Sequence, residues 1–158
     1  MRKPGWVLGV AGAVLLAALA LTGCASASAA SSIRVASAYV PQPTAPGTTV
    51  AYLDIRNNGA ADRLISAQTS VGGKVVLRAP LGRHGGIMTT HTVPAIPIPG
   101  EEMTRLNPDS YHLLITGAGP MQDGKDITLR LTFANAGTVT VIAMVTNPQT
   151  GGSGYFLN

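Results

Sequence analysis

DITLRLTFANAGTVTVIAMV, residues 126–145, carries the clearest structural signal in this sequence. Apolar and polar residues alternate over 126–133 and again over 138–145, which is the period of half-buried β-strands. The four residues between them, 134–137, are few enough to close a β-hairpin. The segment therefore predicts two antiparallel strands joined by a tight turn.

Similar but shorter alternating segments continue towards the N-terminus. They predict further strands over residues 33–40, 49–56, 63–67, 75–78, 86–93, 102–106 and 111–116. Pro94, Pro97 and Pro99 keep the intervening residues irregular or at a sheet edge, because proline cannot donate a ladder hydrogen bond. Eight or nine short strands, with no helical period after the N-terminal region, indicate a single all-β sandwich or barrel.

The first 23 residues have the pattern of a lipoprotein signal peptide. Arg2 and Lys3 precede an apolar run that ends at Leu21, and small residues then lead to Cys24. A membrane-spanning helix is the alternative, but the run is short for a bilayer. We expect lipidation of Cys24, with export of the protein and anchoring by lipid on the outer face of the cell membrane.

Composition divides the remainder of the chain into three parts. The Ala/Ser-rich residues 24–32 predict a flexible tether, 33–146 the folded domain, and the Gly/Ser-rich residues 147–158 a flexible tail. Without the two basic residues of the signal, the formal charge is 9 − 7 = +2. The charges are scattered, which excludes a nucleic-acid surface. The sequence has neither a nucleophile-elbow nor a phosphate-loop motif, so we predict no enzyme activity and no small-molecule substrate.

All three histidines and three of the five methionines lie within residues 84–121. They are His84, His91, His112, Met88, Met103 and Met121. Imidazole binds several transition metals and thioether sulfur favours Cu(I), so copper is the first candidate ligand. The alternative is that the methionines fill the core and the histidines are ordinary surface residues.

Over roughly residues 33–145 the chain resembles the PCu(A)C-type periplasmic copper chaperones. The segments that carry the resemblance are 51–59, 61–64, 86–88, 96–100, 106–108, 111–114, 129–133 and 136–141. The resemblance implies a cupredoxin-like antiparallel Greek-key β-sandwich. It also implies that the protein binds copper and delivers it to a partner, such as the copper site of a respiratory cytochrome oxidase.

The copper-ligand positions of that family are mostly changed in this sequence. The early strand that ends in a histidine in the family continues here into Arg78 and Ala79. The Met-x-Met pair reads Met88-Thr89-Thr90, and the His-x-Met pair reads His112-Leu113-Leu114. Of the four ligand positions, His112 alone is retained.

A different combination of ligands is therefore predicted. Met88 shares a strand face with residue 90, and His84, in a glycine-flanked loop, could swing towards His112. We predict a copper site, as Cu(I), formed by His112, Met88 and His84, with His91 and Met121 as weaker candidates. Fewer thioethers would shift the preference towards Cu(II) or Zn(II). The rival hypothesis is a metal-free lipoprotein binding or scaffold module that has kept the fold.

Overall fold

The computed structural model describes residues 30–43, 45 and 47–149, which form ten β-strands. The strands are β1 (Ile33–Pro41), β2 (Thr48–Asn57), β3 (Asp62–Thr69), β4 (Lys74–His84), β5 (Ile87–Thr92), β6 (Ile96–Ile98), β7 (Met103–Leu106), β8 (His112–Thr116), β9 (Asp126–Phe133) and β10 (Gly137–Thr146). None of the described residues forms a helix that could span a membrane. The predicted signal peptide, Cys24 and the tail after residue 149 lie outside the described residues.

Every strand predicted from the sequence is present, and the all-β fold class is confirmed. The largest difference is in β4, which continues to His84, so His84 lies on a strand and not in the predicted loop. Gly85 and Gly86 have φ values of 55° and 80° and form a two-residue turn into β5. Paired glycines with positive φ suit such a turn, and this turn lets β4 and β5 form a long hairpin.

The strands form one hydrogen-bonded path in the order β5-β4-β8-β2-β1-β10-β9-β3-β6. β2 changes partner along its length, because its first half pairs with β8 and its second half with β7. β1 and β10 are parallel, whereas the other neighbours are antiparallel. β6 lies at the edge of the path, as the proline-rich sequence around it predicts.

One face of each major strand points into a single core. The largest fully buried side chains come from β1, β2, β3, β6, β8, β9 and β10 and include Leu53, Leu64, Ile98, Leu113 and Phe133. Burying each of these side chains contributes about 1.5–3 kcal/mol relative to leaving it exposed. The residues that alternate with them lie on the outer face of the sheet, and the candidate site is built there.

The start of the domain is fixed by the carboxylate of Asp62. It accepts hydrogen bonds from Ser31 Oγ at 2.7 Å and from the backbone N–H groups of Arg63, Asn135 and Ala136. Desolvation by burial opposes ionisation, but these four donors outweigh it and lower the pKa of Asp62. Although residues 30–32 belong to the predicted flexible tether, Ser31 is therefore bonded to the domain.

Candidate metal site

A row of cross-strand neighbours places His112 on the outer face. Arg78 on β4 pairs with His112 on one side and with Thr92 of β5 on the other. On the far side of His112, the Tyr52 ring packs edge-on against the imidazole, with 6.4 Å between the ring centroids. The Tyr39 ring follows, with its centroid 5.2 Å from that of Tyr52. The row therefore runs Thr92, Arg78, His112, Tyr52, Tyr39 across five adjacent strands.

The environment of His112 favours its neutral form. The side chain is only 9% exposed, and its Nδ1 lies 3.3 Å from the carbonyl oxygen of Ser110. Desolvation by burial lowers the pKa of His112, the nearby charge of Arg78 lowers it further, and the Ser110 contact partly opposes both. Because a carbonyl can only accept, Nδ1 carries the proton and Nε2 carries the lone pair. This is the tautomer in which Nε2 can bind a metal.

The guanidinium of Arg78 is fixed across the same face by β5. Its Nη2 donates to the Thr90 carbonyl at 2.6 Å and to Thr90 Oγ1 at 3.0 Å, and its Nη1 donates to Thr92 Oγ1 at 2.9 Å. Nε also contacts Thr90 Oγ1, at 3.2 Å. A permanently charged group is thus held beside the imidazole.

These contacts bring together the residues that stand at the ligand positions of the copper chaperones. Arg78 pairs with His112 and is hydrogen-bonded to Thr90, and Leu114 follows two residues after His112 on the same strand face. Only His112 among the four offers a strong metal donor.

Met88 and His84 lie in the distal part of the β4–β5 hairpin, residues 80–89, which we call the arm. Met88 is half-buried and pairs with Arg83, about 13 Å along β5 from Thr92. His84 is exposed and pairs with Ile87, which places it on the face opposite to Met88. The register therefore does not bring His84 beside His112.

The two weaker candidates lie elsewhere. His91 is exposed and pairs with Ala79, so it faces away from Thr90, as the alternation predicts. Met121 is buried in the core beyond Thr116, the far end of β8 from His112. Among the described residues, no group of three or more His, Cys, Asp or Glu side chains could hold a metal ion.

Two further features border the row. The arm is exposed throughout residues 80–87, including Leu81 at 70% and Ile87 at 73%, and the ion pair of Arg83 with Asp109 (2.6 Å) ties it to the β7–β8 loop. On the other side, Tyr52 and Leu114 help to line a shallow cavity of about 360 Å³. The face is therefore accessible from both sides of His112.

Comparison with known proteins agrees with this architecture. Residues 33–145 match the family model LpqE-like, which is described as a lipoprotein family. No curated protein matches the chain.

Among solved structures, the chain is similar to the copper-bound PCuAC domain from PmoF2, with 20% identity and a TM-score of 0.61 over 75% of this chain and 96% of that domain. The apo PCuAC domain from PmoF1 gives 19% identity and a TM-score of 0.63 over 75% and 97%. Cu(I)-DR1885 from Deinococcus radiodurans gives 22% identity and a TM-score of 0.58 over 75% of this chain and 78% of that protein. These similarities confirm the fold and the resemblance drawn from the sequence.

Proposed function

The chain belongs to the LpqE-like family and has the fold of PCuAC copper chaperone domains, and from this we propose that it is an exported, lipid-anchored copper carrier. Lipidation at Cys24 would hold it on the outer face of the cell membrane. It would bind copper at His112 and deliver the ion to a partner, such as the copper site of a respiratory oxidase.

The observation that supports this proposal best is the state of His112. The sequence resemblance compares this imidazole with a copper ligand, burial lowers its pKa and so favours the neutral form, and its Nδ1 lies against the Ser110 carbonyl, which leaves Nε2 for a metal. Metal-binding histidines are commonly oriented in this way, with the second ring nitrogen bonded to a backbone carbonyl. No other histidine of the chain combines burial with an oriented ring nitrogen among the described contacts.

We propose Met88 as the second ligand, because its thioether lies on the Thr90 face of β5 and Cu(I) prefers sulfur. The arm carries Met88, so bending of the arm over the row is the motion that would bring its thioether to His112. His84 lies on the opposite face of the arm, and the same motion would turn it away from His112. Release would follow the reverse path: a ligand of the partner replaces Met88, and the ion passes through mixed coordination without any bond-making chemistry.

The test is a Cu(I) competition titration of the mature chain against a chelator. We expect sub-micromolar binding that His112→Ala weakens by at least about tenfold, the cost of losing one good ligand contact. Met88→Leu should weaken binding to a smaller extent. His91→Ala is the matched control, because His91 is exposed on the opposite face. Absence of Cu(I) binding by the wild-type chain, or equal losses for His112→Ala and His91→Ala, would reject the proposal.

A metal-free binding or scaffold module is the second candidate, and the hydrogen bonds of Arg78 favour it. The guanidinium already fills the space between Thr90 and His112, and the cavity beside Tyr52 and Leu114 offers a mixed surface to a partner. This module would fold and remain on the membrane irrespective of copper. The same titration separates the two candidates, because a scaffold would show no saturable Cu(I) binding.

A further inference from the structure

β4 holds an uncompensated positive charge beside the single retained ligand. Arg78 is the cross-strand partner of His112, and paired residues of this kind have Cα atoms about 4.5–5.5 Å apart. Its hydrogen-bond partners, Thr90 and Thr92, supply hydroxyl and carbonyl oxygens, which are neutral. Arginine stays protonated at any physiological pH, so an ion approaching His112 always meets this charge.

The guanidinium is also well fixed. All three of its nitrogens are engaged by two residues of β5, and the bond at 2.6 Å to the Thr90 carbonyl is short. A cation held in this way cannot turn away from the face without losing several hydrogen bonds at once. It therefore acts as a constant feature of the site.

The electrostatic consequence depends on the charge of the incoming ion. Coulomb repulsion grows in proportion to ionic charge, so Zn(II) or Cu(II) experiences twice the repulsion of Cu(I) at the same position. If Arg78 lowers the affinity for Cu(I) by a given factor, it lowers the affinity for a divalent ion at the same position by the square of that factor.

We propose that Arg78 determines the ion selectivity of the His112 face, excluding divalent ions and leaving Cu(I) as the tolerated cargo. This inference rests on the proposed copper-binding function. It reverses the trend expected from ligand chemistry alone, in which the loss of thioethers favours Cu(II) and Zn(II). The charge of Arg78 would thus restore the preference for Cu(I) that the site has lost with its thioether ligands.

The experiment measures Cu(I) and Zn(II) affinities of the mature chain and of Arg78→Gln, Arg78→Leu and Arg78→Lys. Removing the charge in Arg78→Gln should raise the affinity for Cu(I) roughly tenfold and that for Zn(II) roughly a hundredfold. Arg78→Lys keeps the charge and should keep the selectivity of the wild type. Lys74→Gln is the matched control, since Lys74 is an exposed cation on the same strand, about 13 Å from Arg78, and the affinities of this variant should stay within about twofold.

Equal gains for the two ions in Arg78→Gln would overturn the inference, as would a selectivity in Arg78→Lys that matches Arg78→Gln. Arg78→Leu removes the charge without adding a metal donor, and it provides the same test if the glutamine variant does not fold, which far-UV circular dichroism would reveal. The outcome also separates the two proposals. If the wild type binds no Cu(I) while Arg78→Gln gains Zn(II), the copper-carrier function and the selectivity for Cu(I) fail, and only the exclusion of divalent ions by Arg78 stands. If no variant binds either ion, both are rejected.

Discussion

His112 is the residue whose protonation is most directly linked to the stability of the fold. Burial lowers its pKa below the ordinary 6.5, and the neighbouring Arg78 adds to the effect. The unfolded chain therefore takes up a proton near pH 6.5 while the folded chain does not, so the stability present above pH 6.5 is lost as the pH falls through the folded pKa. Tyr52 and Arg78 are the other ionisable groups that face the ring.

We accordingly expect the free energy of unfolding to fall between pH 7.5 and pH 5, and to fall less in His112→Gln. Urea denaturation at the two pH values measures both slopes. His91→Gln is the control, because that ring is exposed. If the free energy of unfolding of His112→Gln depends on pH as strongly as that of the wild type, burial does not lower the pKa of this imidazole.

Asp62 gives a second prediction at the scale of one residue. Asp62→Ala removes the charged acceptor of the part-buried N–H groups of Asn135 and Ala136, and a hydrogen bond to a charged group contributes about 1.5–3 kcal/mol. We expect the free energy of unfolding to fall by roughly 3 kcal/mol. Asp109→Ala is the control, because its ion pair with Arg83 is exposed and should cost less than about 1 kcal/mol. Similar losses in the two variants would contradict the role given to Asp62.

Among the elements, the short segment before β1 depends on one glycine. A Cβ at Gly59 would lie 2.2 Å from the carbonyl oxygen of Ala30, so Gly59→Ala must displace residues 30–32. The displaced segment would lose the bond from Ser31 to Asp62 and the bond from the Asn58 N–H to the Ser32 carbonyl. We expect a loss of about 1–3 kcal/mol.

Hydrogen exchange of the Asn58 amide in Gly59→Ala tests this prediction, because that proton should become unprotected. Gly72→Ala is the control, since a Cβ there meets nothing within 4 Å and only the positive φ of 73° adds a cost. Retained protection of Asn58 would show that the segment tolerates the methyl group.

The β4–β5 hairpin shows where prediction from sequence succeeds and where it fails. The alternation of apolar and polar residues predicts the bounds of β9 and β10 to within one residue, because one face of each strand packs against the core. β4 loses its alternation at the bulge around Gly82, and beyond that point the arm buries nothing. Periodicity reports burial, so it could not predict the exposed half of β4, and the Gly85-Gly86 turn was the available signal.

The candidate site was predictable only in part, for a similar reason. His112 was found because it stands at a family position, and the opposite direction of His91 followed from strand alternation. The position of Arg78 beside His112 required the register between β4 and β8, which the sequence does not specify. The placement of His84 on the face opposite to Met88 likewise depends on the hairpin register.

At the scale of the whole molecule, the β-fold of the LpqE-like family carries one half of the proposed chemistry on a single outer face. The fold brings Arg78, His112 and Thr90 together on one outer face, and Leu114 follows His112 on the same strand face. One neutral imidazole and one fixed cation therefore dominate the chemistry of that face. The proposed copper carrier would bind the ion at Nε2 of His112 despite this cation.

The most direct measurement is an NMR titration of the ¹⁵N-histidine-labelled mature chain with Cu(I), which follows all three imidazole rings. The account predicts that Nε2 of His112 shifts with saturation at one ion per chain, while its Nδ1 stays protonated and the ring of His91 is unchanged. An unchanged His112 ring, or shifts confined to His84 and His91, would contradict it.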